Sequence, residues 1–275
     1  SVSSDEDIFY EVDANADLTV PASSTSTYSD QEVIVKTSNT YQPDSTSSGN
    51  ITIPNLEIPT GATLTADGNT ITITDDGTPF VKSGTLNYDT STFRYAGTSA
   101  TNITATDYYI LESKPASGSP THTLSSGTIN INNNFIVGDG ANAVTITATA
   151  NDPTLNIDGS FTNSANATFI ASDSGNFFVA SNYSNSGIFT DSSGSLTFDG
   201  QGLQTITSGG TTSDYDFNNL IITNAGTEGV SFTDAATING TFTATTDDTK
   251  IIFNAGSTYI FTNISIGGTS GHPVI

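Results

Sequence analysis

The chain has 275 residues, of which 34% are hydrophobic, and its 28 Asp and Glu outweigh 5 Lys and Arg to give a net charge of −23. This balance argues against nucleic acid as a partner, because almost no cation is available to neutralise phosphates. Membrane insertion is not expected either, since the longest apolar run falls far short of the about 20 residues that a span needs. With no Cys, no disulfide framework supports the fold.

The first 50 residues differ from the rest and predict an N-terminal capping or donor-strand region that ends in a Ser/Thr-rich linker. Ile8, Tyr10 and Val12 alternate along a short predicted strand, so their apolar side chains need a groove. The strand either adds to the sheet of a neighbouring copy, which would make these three residues a self-association site, or covers the open end of its own chain.

A weak calcium motif lies in the same region. Asp13-Ala-Asn15-Ala-Asp17 has the D-x-N-x-D spacing that opens a calcium loop, although Leu18 stands where the turn glycine belongs. Calcium is therefore the one possible ligand ion predicted from the sequence, and no cofactor is expected.

Beyond residue 50, short runs of alternating or clustered apolar residues predict β-strands. The clearest runs are 51–58, 69–74, 127–131, 143–150, 153–157, 195–198, 219–223, 236–240, 249–253 and 263–266. Asp-Gly, Gly-Gly, Asn-Gly and Ser-Gly pairs between them supply the positive φ angles that tight turns require. No long window has apolar residues at a spacing of 3.6, so the chain is predicted to be all-β with almost no helix.

The chain also contains an internal repeat. SGTLNYDTSTFRYAGTSATNIT from residue 83 aligns without a gap with SGIFTDSSGSLTFDGQGLQTIT from residue 186, an offset of 103. The alignment matches Gly84 with Gly187, Phe93 with Leu196, Tyr95 with Phe198, Gly97 with Gly200 and Ile103 with Ile206. Looser matches extend it, so residues 51–275 divide into units 51–154 and 155–263 and the start of a third, 264–275. A long-period repeat indicates stacked layers that bury their faces against one another.

Two all-β architectures fit a repeat of about 105 residues: tandem β-sandwiches and a β-solenoid. The strands are short, and no Pro/Gly linker separates the units, which favours a parallel β-helix with coils of about 20–25 residues. Its interior should then be drawn from Ile, Val, Leu and Phe, with both members of the pairs Phe93/Leu196 and Ile103/Ile206 pointing inward. The Asn runs 132–134 and 218–219 fit corners, since Asn tolerates left-handed backbone.

Three segments carry a resemblance to a known class of protein. GSLTFDGQGLQTI (194–206), DFNNLIITNAG (216–226) and ATINGTF (236–242) resemble the long tandem repeats of secreted prokaryotic surface proteins, adhesins and passenger domains. The resemblance implies a parallel β-helix and an extracellular, cell-surface location, and it implies no catalytic residue.

The predicted function is that of a non-enzymatic extracellular structural protein, a self-associating rod of a surface filament, sheath or adhesin stalk, whose partners are copies of itself. The segment 268–275 stops where a further coil would begin, so either more chain follows or another molecule completes this edge. The alternative function is a carbohydrate-binding adhesin domain with glycans as ligands.

A polysaccharide hydrolase or lyase and an ice-binding protein are less favoured. The cations are scattered singly and no catalytic motif is present, so no catalytic residue is predicted. His122 is expected in a polar loop and Arg94 in a surface ion pair. The Thr-x-Thr runs at 70–74 and 145–149 lack the short, regular coil spacing that an ice-binding face requires.

Six Asn-x-Ser/Thr sequons would accept glycans in a glycosylating secretory pathway, although chance also explains them in a chain so rich in Asn, Ser and Thr. They begin at Asn50, Asn102, Asn166, Asn182, Asn239 and Asn263.

Overall fold

Alternation of apolar and polar residues gives each strand one side that faces a common interior. The computed structural model describes residues 50–275 and, before them, the backbone of five short strands. In the strand Thr70–Ile73, for example, Ile71 and Ile73 are buried while the two threonines are half-buried on the outer side. The described residues contain no helix, as the absence of a 3.6-residue spacing predicted.

The strands are, in chain order, β1 (Tyr10–Val12), β2 (Ala16–Asp17), β3 (Ser26–Thr27), β4 (Val33–Val35), β5 (Thr40–Gln42), β6 (Ile51–Ile53), β7 (Leu56–Ile58), β8 (Thr63–Thr65), β9 (Thr70–Ile73), β10 (Phe80–Lys82), β11 (Thr85–Asn87), β12 (Thr92–Tyr95), β13 (Thr101–Ile103), β14 (Asp107–Tyr108), β15 (Ile110–Ser113) and β16 (Thr121–Leu124). They continue as β17 (Thr128–Ile131), β18 (Phe135–Val137), β19 (Val144–Thr147), β20 (Thr154–Ile157), β21 (Phe161–Asn163), β22 (Ala167–Ile170), β23 (Asn176–Val179), β24 (Tyr183–Asn185), β25 (Ile188–Thr190), β26 (Ser195–Phe198), β27 (Gln204–Thr207), β28 (Asn219–Ile222), β29 (Val230–Phe232), β30 (Ala236–Ala244), β31 (Ile251–Phe253) and β32 (Tyr259–Ile266).

The strands wind into a parallel β-solenoid of about 10 turns with three faces. The first face is an 11-stranded sheet in the order β3-β6-β9-β12-β15-β18-β21-β24-β27-β29-β31. The second face contains β1-β4-β7-β10 and then β13-β16-β19-β22-β25, and the third contains β2-β5-β8-β11 and then β14-β17-β20-β23-β26-β28-β30-β32. All strand pairs among the described residues are parallel, which confirms the solenoid and rules out antiparallel sandwiches.

The coil length agrees with the prediction. Nine steps of the ladder on the first face lead from Ile51 to Phe253, so a coil averages about 22 residues. An offset of 103 residues is therefore about four and two-thirds coils.

The internal repeat consequently relates residues on different faces. Phe93 lies on the first face and Leu196 on the third, whereas Ile103 lies on the second face and Ile206 on the first. All four are buried, as predicted. The repeat therefore preserves a unit made of one strand and the corner beside it. Two aligned residues occupy the same place in this unit, but their units lie on neighbouring faces of the solenoid.

The matched glycines show why this unit needs glycine. Gly84 lies at the corner between β10 and β11, and Gly187 lies at the corner between β24 and β25. A Cβ atom added at Gly84 would collide with the backbone oxygen of Pro59, and one added at Gly187 would collide with that of Ala167. Both corners thus bring the chain against the backbone of the preceding coil too closely for any side chain.

The interior is one continuous apolar cluster that extends from Ile51 to Ala244. Its middle is aromatic: the Phe161 ring centroid lies 5.0 Å from that of Phe169 and 5.3 Å from that of Tyr183, and Phe169 stacks on Phe189 at 5.9 Å. Stacked and edge-to-face rings at these distances stabilise a core beyond the burial of their area.

Asparagines stabilise the corners by joining adjacent coils. Buried Asn163 donates its amide Nδ2 to Asn185 Oδ1 at 2.8 Å and to the Ile188 carbonyl at 2.8 Å. In the two predicted Asn runs, Asn134 Oδ1 accepts the Ser160 amide at 2.9 Å, and Asn219 Oδ1 accepts the Thr241 amide at 3.1 Å. Corner asparagines therefore replace backbone ladder bonds where the strands stop.

The expectation for His122 was wrong, and the one for Arg94 is confirmed. His122 lies in strand β16 and is fully buried; its Nδ1 is 2.8 Å from Ser113 Oγ and its Nε2 is 3.1 Å from the Gly97 carbonyl oxygen. These polar partners make an inward histidine tolerable. On the outer side of the first face, Arg94 pairs with Glu112 at 2.6 Å.

Candidate self-association surface

The C-terminal end of the solenoid carries a layer of core-facing apolar side chains, three of which are exposed and three half-buried. In the last coil, Ile251 and Phe253 continue the core columns of Val230 and Phe232 on the first face. On the long strand β32, four more residues stand in register with buried residues of β30. We call the six residues the open end: Ile251, Phe253, Tyr259, Phe261, Ile264 and Ile266.

The partners of these residues one coil below are at most 1% exposed. By contrast, 41% of Phe253, 57% of Ile264 and 50% of Ile266 is exposed. The residues are apolar and in register with the core, and no further coil covers them within residues 50–275. A contiguous exposed apolar surface of this kind marks an interaction site.

The strand edge at this end is also unpaired. Within the described residues, β32 pairs only with β30, so one side of its eight-residue backbone carries no ladder partner. An unpaired edge is a template for another strand.

The segment 267–275 covers the first-face edge, and its Val274 packs against the apolar core. The Ile275 amide donates to the Thr249 carbonyl at 2.9 Å, and the Ile275 carbonyl accepts the Ile251 amide at 2.8 Å. Asp247 anchors the segment by accepting the Thr269 amide at 2.8 Å and the Thr269 hydroxyl at 2.6 Å, and these bonds lower the pKa of Asp247.

A second anchor of the segment is ionic. His272 Nδ1 lies 2.9 Å from Asp248 Oδ2, and this contact raises the pKa of His272. The two anchors hold the segment at the rim and leave the edge of β32 open.

The N-terminal end presents the complementary edges. Strand β1 pairs with β4, β2 with β5 and β3 with β6, and each is the outermost described strand of its sheet. Of the predicted self-association residues, Tyr10 and Val12 lie in β1, where the backbone alone is described, and Ile8 lies outside the described residues. The strand pairs with its own chain, and its role in association stays a prediction.

The calcium prediction falls on the same region. Asp13 and Asn15 lie outside the described residues, and Asp17 ends strand β2 with only its backbone described, so the site stays a prediction. In the part of the chain that the structure does describe, no three acidic or histidine side chains come together as a metal site.

The sequon asparagines lie on the outside of the solenoid. Five are exposed, and Asn50 is half-buried. Several already bond the next coil: Asn102 Nδ2 donates to Thr78 Oγ1 at 2.9 Å, and Asn182 Oδ1 accepts the Thr205 amide at 2.8 Å. A glycan at these positions would compete with the corner bonds, and glycosylation stays a prediction.

The two Thr-x-Thr runs do not form one surface, because Thr70 and Thr72 lie on the first face and Thr145 and Thr147 on the second. No helix in the described residues is long and apolar enough to span a membrane.

Comparisons with protein-family models, with curated proteins and with solved structures found no match to this chain. The candidate surface therefore rests on the geometry of the chain itself. Sequence reasoning predicted that the C-terminal edge needs completion, but it did not single out Phe253 or Ile264, because their apolar character is that of any core residue.

Proposed function

We propose that the protein is a non-enzymatic, extracellular structural rod that assembles head to tail, with the open end of one copy seated on the N-terminal coil of the next. The observation that carries this proposal is the register of the open end. Each of its residues extends a column of the core by one step, so a further parallel strand along β32 would bury Tyr259, Phe261, Ile264 and Ile266 at once.

Head-to-tail stacking follows from strand polarity. The ladders of all three faces are parallel, and only a copy in the same orientation continues a parallel ladder. The outermost N-terminal strands β1, β2 and β3 belong to these same three faces. Such a heterologous contact does not close on itself and therefore generates a filament.

The charge of the chain sets the conditions for assembly. With a net charge of −23, approaching copies repel one another, and salt screens that repulsion over a Debye length of about 8 Å at physiological ionic strength. Filaments should therefore lengthen as the salt concentration rises.

The test places a charge in the open end. Ile264→Lys should keep the circular dichroism of the parent and abolish the filaments seen by electron microscopy and sedimentation, because a lysine cannot enter the buried column. The matched control is Leu203→Lys, which charges a residue that is 47% exposed and lies away from the open end; this variant should assemble like the parent.

A mixing experiment tests polarity. The Ile264→Lys variant retains its N-terminal end, so it should add to growing filaments and stop them, and a small molar fraction should shorten the filaments. A parent protein that stays monomeric at high concentration and high salt would overturn the proposal. Equal assembly of both lysine variants would overturn it too.

A further inference from the structure

A shallow, open groove runs along the outer side of the third face, away from the open end. We call it the amide groove; it has a volume of about 310 Å³ and crosses four coils. Its lining consists of Thr128, Asn130, Thr154, Asn156, Phe178 and Asp199. Strands β28 and β30 separate it from β32, which carries most of the open end, so the two surfaces are distinct.

The floor of the groove is a column of polar side chains in register. Asp107 pairs with Asn130, Asn130 with Asn156, and Asn156 with Phe178 on successive coils. Asn130 Nδ2 donates to Asp107 Oδ1 at 2.7 Å, and Asn156 Nδ2 donates to Asn130 Oδ1 at 3.5 Å. The bonds fix the amides in place, while Asn156 Oδ1 has no donor among residues 50–275.

Phe178 continues this column with an outward aromatic ring. Its neighbours Phe177 and Val179 are buried, so the alternation of β23 turns Phe178 outward, where it is half-buried. A single outward aromatic residue is ordinary on a protein surface. Here, however, the ring lies beside ordered amides and the hydroxyls of Thr128 and Thr154 in one groove.

We propose that the amide groove binds an unbranched, neutral oligosaccharide that lies along the solenoid axis, with one sugar ring stacked on Phe178. A sugar ring has an apolar face of C–H groups that fits an aromatic ring, and its hydroxyls match amide and hydroxyl partners. Successive coils are about 4.8 Å apart, which is close to the length of one sugar unit, so neighbouring sugars meet equivalent positions on neighbouring coils.

Charge selects a neutral ligand. Asp199 lines the groove and Asp107 continues its floor, and the chain as a whole is strongly acidic, so uronic or sialic acids are repelled. Burial, with a further contribution from Asp158, raises the pKa of Asp199, and its Oδ1 has no hydrogen-bond partner among the described residues. Because this Oδ1 is itself buried, a sugar hydroxyl would meet the groove through its amides and threonine hydroxyls.

Isothermal titration calorimetry with cellohexaose, chitohexaose and hexagalacturonate tests the proposal. The parent protein should bind at least one of the two neutral hexasaccharides with a Kd below about 1 mM and should not bind hexagalacturonate. Phe178→Leu keeps an apolar side chain but loses the ring face, and it should weaken binding about tenfold. Phe178→Tyr keeps the ring and should bind like the parent.

The control is Ile136→Ala, which truncates an outward, half-buried apolar residue on the first face. It should bind like the parent, and all variants should assemble normally, because the groove takes no part in stacking. Three results would overturn the inference: no binding of either neutral hexasaccharide, unchanged binding by Phe178→Leu, or equal binding of hexagalacturonate. None of them bears on filament formation, which sedimentation measures separately.

Discussion

The middle of the solenoid and its C-terminal end are built from similar residues but differ in what covers them. Phe169 in the middle lies between Ile146 of the coil below and Phe189 of the coil above, and it is fully buried. At the end, Phe253 stacks on Phe232 at 5.2 Å, has no coil above it and is 41% exposed. A coil of this protein does not bury its own interior side, so the same residue type stabilises the middle and leaves an exposed apolar surface at the end.

The largest expected difference in unfolding free energy is between the variants Phe169→Ala and Phe253→Ala. Phe169→Ala should cost about 3–5 kcal/mol of unfolding free energy, because it leaves a cavity among closed rings. Phe253→Ala should cost about 1 kcal/mol or less, because the ring is already partly in water. Urea unfolding followed by circular dichroism at low protein concentration measures both values. Equal costs in the monomer would contradict the comparison, since Phe253 would then be covered by its own chain.

The second difference is between two corner asparagines. Asn163→Ala in the middle leaves Asn185 Oδ1 and the Ile188 carbonyl without their donor and should cost about 2 kcal/mol. Asn263 at the end is exposed, and its Nδ2 lies 3.5 Å from the Gly240 carbonyl; its replacement by Ala should cost at most about 0.5 kcal/mol. The same urea experiment measures both costs. If Asn163→Ala lowered the unfolding free energy as little as Asn263→Ala does, the buried amide bonds would contribute nothing to stability.

A third comparison uses two aspartates whose pKa values are shifted in opposite directions. Burial raises the pKa of Asp191 to about 6, with its own backbone amide opposing and Asp216 adding to the shift. The folded state therefore binds this proton more tightly than the unfolded state, whose pKa is about 3.9. On account of Asp191, the unfolding free energy falls as the pH rises from about 4 to about 6.

Asp191→Asn removes this dependence. Relative to the parent, its unfolding free energy should increase by about 1 kcal/mol between pH 4.5 and pH 7.5, less than the full shift implies because the carboxylate is partly solvated. Asp139→Asn is the control: hydrogen bonds from the Asn142 and Ala141 amides lower the pKa of Asp139, so its contribution is complete above about 4 and should not change in that window. A constant difference for Asp191→Asn across the pH range would refute the buried-charge argument.

The smallest expected effect is a difference between the pKa values of the two histidines. Burial lowers the pKa of His122, whereas Asp248 raises that of His272. His122 thus stabilises the folded state fully above its unfolded value of about 6.5 and less as the pH falls below it. The contribution of His272 is present below about 6.5 and is lost as the pH rises through its folded value. A titration of the two imidazole signals by NMR should show His272 changing at higher pH than His122, and the reverse order would contradict both assignments.

Much of the fold could be predicted from the sequence, because many strands show a regular alternation or clustering of apolar residues. ITIPNLEI, AVTITATA and TKIIF alternate or cluster apolar residues and became β6, β7, β19 and β31. Strands such as Phe161–Asn163 and Tyr183–Asn185 were missed, since their inward positions hold one aromatic residue and one asparagine. In the sequence, an asparagine indicates a turn. Only the adjacent coil supplies the hydrogen-bond partner that allows the asparagine to be buried.

The sequence by itself determined the class of fold, the coil length and many of the apolar core residues, because these follow from local alternation and from turn residues at regular spacing. It did not determine which residues meet. The repeat aligns Phe93 with Leu196, yet the winding of the chain places them on different faces, and His122 became a core residue because Ser113 and Gly97 surround it. The open end and the amide groove likewise arise from the stacking of residues about 22 positions apart, a distance over which only the tertiary structure specifies contact.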